Sequence, residues 1–200
     1  MDWNNFFDED NIFAQNDKYI LKRQIAEDKS SYFNLYKESS ILAKRMKSQE
    51  FQNFFEVQWE QRECENAIYF SIFLKCTGEY AGNIVLRQLD SATPELGIDI
   101  VKKHRRQGIA YDTLKLFTEL VTALCNIKYF LIRIYSDNEP SRKLFQKLGA
   151  IMIGSEPSEY QIFLNQMKKT LGEQEYEELK KKNPDMETIA SKRYIVRYRL

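Results

Sequence analysis

ELGIDIVKKHRRQGIAYDTLKLFTELVTAL, residues 95–124, holds a strand, a basic turn and a helix in one run. Leu96, Ile98 and Ile100 alternate with Gly97, Asp99 and Val101, the period of a strand with one well-buried face. Beyond the turn, Ala110, Leu114, Phe117, Val121 and Leu124 recur in steps of four and three, which predicts a helix with a single apolar stripe. Lys102, Lys103, His104, Arg105 and Arg106 stand where that helix begins. A helix start is already partly positive, so cations clustered there are destabilising unless an anion meets them. The first N–H groups of a helix have no intrahelical partner and can point at such an anion. Gly108 has no Cβ and Ala110 is small, so a bulky group can approach the backbone. The turn therefore predicts a phosphate or pyrophosphate site.

Upstream, Lys18–Ile25 reads as a first strand. Residues 27–46 predict a helix capped by Asp28 or Ser30. Residues 50–64 predict another, with Phe51, Phe54, Phe55 and Trp59 at helical spacing. Ala67–Lys75 and Tyr80–Leu89 make a hairpin around Thr77-Gly78-Glu79. Downstream, Ile127–Tyr135 is a strand, Pro140 suits the first turn of a helix reaching Leu148, and Gly149 suits its end. A short strand at 150–154 and a closing strand at 194–200 flank a helical insertion at 156–185. That insertion is either an excursion packed on the sheet edge or a lid over an acceptor site. Residues 1–17 form an arm that packs Trp3, Phe6, Phe7 and Phe13 on the domain, or serves as a dimer contact or substrate wall; residues 18–200 form the domain proper. The whole order predicts an α/β fold with a mixed central sheet flanked by helices.

Lys and Arg total 30 against 29 Asp and Glu, so bulk electrostatic binding of nucleic acid is not expected. Cys64, Cys76 and Cys125 are widely spaced and form neither a metal-ligand pattern nor a disulfide framework, which suits reduced thiols in a cytoplasmic protein. No secretory signal or bilayer-spanning run is read, and no metal is expected.

Arg105-Arg106-Gln107-Gly108-Ile109-Ala110 fits the acetyl-CoA pattern of the Gcn5-related N-acetyltransferases, the GNAT family: Arg or Gln, two residues, Gly, one residue, then Gly or Ala. Asn138-Glu139-Pro140-Ser141, followed by Leu148-Gly149-Ala150, is similar to the Asn-x-x-Ser…Leu-Gly-Phe segment of the branch that acetylates ribosomal-protein N-termini; Ala150 departs from its Phe. The resemblance spans Tyr19 to Gly154. It implies the GNAT fold and an acetyl-CoA-dependent N-acetyltransferase acting on a primary amine, either a protein N-terminus or a small amine. It also implies that the N–H groups from Arg106 through Gln107, Gly108 and Ile109 to Ala110, with Arg105, hold the diphosphate, and that the backbone at Ile100 and Val101 lies beside the pantetheine.

An ammonium must lose a proton before it attacks, so a carboxylate on the strand is needed: Glu95 first, Asp99 second. Many members place a Tyr on the helix after the Asn to protonate the leaving thiolate. Phe145 stands there, which leaves Ser141 as the substitute with Tyr135 behind it. Asn138 either bonds the pantetheine arm or caps its helix. His104 suits phosphate contact or exposure. The competing reading is an acyl-CoA-binding module without catalysis, and a homodimer is possible for either.

Overall fold

The computed structural model describes residues 3–40, 42–44, 46–62 and 66–200, so Cys64 lies outside the described residues. The chain forms two compact units, one ending at Phe130 and one beginning at Leu131. In the first, β1 (Ile12–Gln15), β2 (Tyr19–Arg23), β3 (Ala67–Leu74), β4 (Tyr80–Arg87) and β5 (Glu95–Ile100) pair in chain order, each antiparallel to the last. Pairing register puts Leu21, Ile72 and Gly82, then Phe70, Ile84 and Ile98, on one face. α3 (Ile109–Leu124) packs there, with the Phe117 ring 4.9 Å from Phe70. α1 (Lys29–Ser39) and α2 (Ser48–Gln61) serve the opposite face, where Tyr32 meets Tyr69 and Asp28 accepts from the Ser71 hydroxyl at 2.7 Å.

Several elements differ from the sequence expectation. β1 falls inside the expected arm; at four residues it is too short to show alternation. Its Phe13 is buried against Phe70 and Phe117 at 4.9 and 5.5 Å. α1 stops at Ser39 instead of reaching Met46: Ser40 is extended (ψ 131°), which ends the helical run. Asp28 does not cap α1 with its side chain, which is committed to Ser71 and to the N–H of Ile25. On α3, Leu124 is 43% exposed, and Ile109 and Thr113 join Leu114, Phe117 and Val121 in the buried stripe.

In the second unit β8 (Tyr194–Arg199) lies between β6 (Leu131–Tyr135) and β7 (Ile151–Pro157), antiparallel to both. α4 (Glu139–Lys147) joins β6 to β7. The helical insertion is α5 (Glu159–Lys182), kinked at Gly172 (φ 77°), and α6 (Met186–Lys192). It carries a small core of Leu164, Tyr176, Met186 and Ala190 with Leu179 beside it, so the helices brace one another. No described helix is long and apolar enough to cross a membrane.

Candidate active site

The chemistry-bearing residues of the first unit gather where β4 begins, where β5 ends and in the turn that follows. Val101 N–H donates to Ala81 O at 2.9 Å, extending the β4–β5 ladder by one rung. The Val101 N–H is therefore taken by the sheet. Ile100 sits opposite Gly82, so ladder alternation turns its N–H and carbonyl away from β4. That carbonyl accepts from Arg105 Nε at 2.8 Å. Gly82 is required for this approach, since a Cβ there would stand 2.2 Å from Asp99 O.

The basic run is not a uniform cationic patch. Lys102 N–H donates to Glu38 Oε2 at 2.9 Å, tying the turn to the end of α1. Lys103 Nζ pairs with Glu79 in the β3–β4 hairpin, and His104 Nε2 lies 3.2 Å from the same carboxylate. The hydrogen bond from Lys103, with the neighbouring charges, holds the Glu79 carboxyl below its usual range. His104 is buried beside the hairpin, contrary to the expectation of exposure. Gln107 Nε2 donates to Lys103 O at 2.9 Å, and Arg105 braces Ile100.

Arg106 is different. Its side chain is exposed and makes no hydrogen bond or ion pair among the described residues. Arg106 (φ 62°) and Gly108 (φ 83°) are both left-handed, a backbone conformation that recurs in anion-binding turns. Gly108 opens α3 with no side-chain cap. The first intrahelical bond runs from Asp112 N–H to Gly108 O at 3.0 Å, so the N–H groups of Ile109 and Ala110 precede it. Nothing lies within 4 Å of where a Cβ on Gly108 would be. An open, uncapped helix start of this kind can receive an anion.

Beside the turn, register places Tyr69 and Ser71 of β3, Asn83 of β4, and Glu95 and Asp99 of β5 on the face that α1 and α2 serve. Glu95 stands opposite Arg87 and 3.7 Å from its guanidinium. Asp99 stands opposite Asn83 and receives no hydrogen bond among the described residues. It is reachable by solvent yet crowded by protein, and desolvation raises its pKa to about 6 against the pull of Arg105 and Arg87. Burial also lifts Tyr32 to about 12 and Tyr80 further, so both phenols stay neutral. Of the predicted aromatic stripe, Phe51 and Phe55 are core, whereas Trp59 borders a cavity of about 410 Å³ with Gln24, Arg62 and Tyr69. The Arg62 guanidinium lies 3.6 Å from the Tyr69 ring centre and 4.4 Å from that of Trp59.

Asn138 and Ser141 belong to the second unit. Asn138 Oδ1 accepts from Ser141 N–H at 3.3 Å and caps α4, with Pro140 in the first turn. Phe145 is buried. Tyr135 donates to Glu159 at 2.7 Å beneath the Arg193 guanidinium, and burial, then Glu159, pushes its phenol to about 12. Among the described residues no group of three or more His, Cys, Asp or Glu could hold a metal.

The family model described as the acetyltransferase (GNAT) domain matches residues 20–151, well over half of the chain. The chain belongs to the GNAT family. No curated protein matches it in sequence. Among solved structures it is similar to a variant of spermidine N-acetyltransferase SpeG from Vibrio cholerae, with 15% identity, 92% of this chain and 94% of the other covered, and a TM-score of 0.62. It is also similar to RimL, a ribosomal alpha-N-protein acetyltransferase in complex with coenzyme A, with 14% identity, 74% and 88% covered, and a TM-score of 0.59. The microcin C7 self-immunity acetyltransferase MccE, in complex with acetyl-CoA and AMP, gives 17%, 75% and 87%, and 0.59. At such identities the likeness concerns the GNAT fold, which the sequence pattern predicted. Asn83, Tyr80 and Tyr32 were not among the predicted site residues. The one signal for Asn83 was a lone amide within the otherwise apolar Ala81-Gly82-Asn83-Ile84-Val85-Leu86.

Proposed function

We propose that this GNAT protein transfers the acetyl group of acetyl-CoA to a primary amine. The observation that carries this reading is the uncapped start of α3 behind two left-handed residues, with Arg106 unengaged beside it. The N–H groups of Gly108, Ile109 and Ala110 and the Arg106 side chain would hold the diphosphate, while Arg105 keeps the turn in shape through Ile100 O. Acetyl-CoA supplies the thioester, whose C–S bond breaks as the C–N bond forms, the thiolate carrying off the second amine proton.

Asp99 is the better base than Glu95. Its carboxylate has no hydrogen-bond partner among the described residues and a pKa raised toward neutrality, where a base is both deprotonated and able to hold a proton. Glu95 is tied to Arg87. Asp99 takes the first proton from the acceptor's ammonium, directly or through one water. Tyr135 is committed to Glu159, so Ser141 remains the proposed group to pass that second amine proton to the thiolate, taking one proton as it gives one. The proposed acceptor is a protein N-terminus or a small amine; the similar folds include a spermidine and an alpha-N-protein acetyltransferase.

Thiol release from acetyl-CoA, with spermidine and N-terminal peptides as acceptors, tests the reading. Release with any of them supports it. Tight acetyl-CoA binding with silence across the panel favours the non-catalytic acyl-CoA module, which the buried Phe145 in place of a Tyr suggests. Failure to bind acetyl-CoA overturns both.

A further inference from the structure

We propose that Asn83, Tyr80 and Asp99 together form a seat for the acceptor's head group, and that the seat selects a protonated primary amine over a secondary or tertiary one. This rests on the acetyl-transfer reading above and names the residues that choose its substrate.

Asn83 is 3% exposed, and its Oδ1 has no hydrogen-bond partner. Its neighbours along β4, from Ala81 to Leu86, are buried and lack polar side chains. A buried amide oxygen without a donor is destabilising, and the large majority of buried side-chain polar atoms in folded proteins are satisfied. Tyr80, three residues earlier, likewise buries a phenol oxygen that has no partner. Asp99 stands directly across from Asn83 and receives no hydrogen bond among the described residues. Register joins Asn83 to Asp99 across the β4–β5 ladder, and the Asp99 charge is felt by the phenols of both Tyr80 and Tyr32.

A primary ammonium has three N–H donors and no acceptor. The patch offers three oxygen acceptors: one amide oxygen, one phenol oxygen and one carboxylate, which supplies the single negative charge. Neighbouring groups are engaged elsewhere. Glu95 is paired with Arg87, and Ser71 with Asp28. The nearby aromatic cage of Tyr32, Trp59 and Tyr69 is filled by Arg62, whose side chain is bonded to Gln24. A secondary ammonium brings two donors and a tertiary one brings one, so each would leave at least one of these three oxygens without a donor from the ligand. Stranding a buried polar group discriminates far more strongly than a change of apolar shape.

The test uses the full chain with n-butylamine and N-methylbutylamine, both as binding probes and as acceptors. Side-chain amide resonances of Asn83 are followed by NMR on titration, alongside steady-state kinetics, melting and acetyl-CoA calorimetry. We expect n-butylammonium to shift the Asn83 amide and N-methylbutylammonium to shift it at least tenfold more weakly. Asn83→Leu should melt no lower than the native protein and bind acetyl-CoA equally well, yet raise the amine KM at least tenfold and erase the preference for the primary amine. Tyr80→Phe, which removes one acceptor without altering shape, should move KM and preference the same way by less.

If native protein acetylates amines and both variants keep the native KM and preference, the seat is wrong and acetyl transfer stands. If the Asn83 amide responds selectively to n-butylammonium but no amine is ever acetylated, the seat stands and acetyl transfer is wrong. An amide that responds to neither amine, together with unchanged kinetics, overturns the seat outright.

Discussion

The starts of α3 and α4 solve the same problem in opposite ways. Both must deal with N–H groups that have no partner in the helix. α4 does so internally: Asn138 accepts from Ser141 N–H, and Pro140 removes one N–H from the account. α3 does not. Gly108 has no side chain to offer, and the turn before it is curled by a left-handed Arg106. The same contrast holds beyond each helix. Near α4, Tyr135, Arg142 and Arg133 have partners within the second unit. In the first unit, Arg106 before α3 and, on the sheet face away from α3, Asp99 and Asn83 Oδ1 have none among the described residues. Groups left unsatisfied at a measurable cost in stability mark where a ligand is expected, and satisfied ones mark scaffold.

This contrast can be broken most directly at Asp99. Asp99→Asn should lower kcat/KM for the amine by roughly 10²–10⁴-fold, the usual worth of a positioned base, with acetyl-CoA affinity unchanged by calorimetry. The native kcat/KM should fall about tenfold per pH unit below about 6, as Asp99 gains its proton, and the variant should lose that limb. Arg106→Ala comes next: losing one charge-assisted contact to a phosphate should raise the acetyl-CoA Kd roughly tenfold to a hundredfold. An unchanged Kd would mean that the open turn is not a diphosphate cradle.

Gly108→Ala should cost about 1–2 kcal/mol in denaturant unfolding, because φ 83° is strained for any residue with a Cβ even though space is open. It should also weaken acetyl-CoA. Asn138→Ala sharpens the other side: about 1 kcal/mol of stability lost with the cap, and acetyl-CoA affinity retained. A parallel loss of affinity would show that Asn138 also serves the cofactor.

The smallest expected effect is on stability at Asp99. Its folded pKa is raised from 3.8, so this group favours the folded state fully below about 3.8, and that contribution is lost as pH rises through about 6. Above pH 6, Asp99→Asn should therefore stabilise the protein, by about 1 kcal/mol or less since solvent screens an accessible carboxylate.

Strand, turn and helix at 95–124 were legible because two periodicities, of two and of about 3.6, meet at a glycine. The anion site was legible because five basic side chains at a helix start oppose the dipole. Other features were not. Four-residue β1 has no room for a pattern. The early end of α1 lies in the extended backbone of Ser40, which no periodicity marks. Lys103 and His104 looked like Arg106 in sequence, and only Glu79, from a hairpin more than twenty residues earlier, separates them. Glu95 and Asp99 share a strand face, and cross-strand partners alone decide between them: Arg87 occupies one and Asn83 leaves the other free.

The sequence by itself determined the element order, the apolar faces and the place where an anion must come, because these follow from local spacing and from charge beside a helix dipole. Tertiary structure alone decided which of those polar groups are spent and which are left open. A group's availability is set by what stands opposite it in space, and the chain order does not record that.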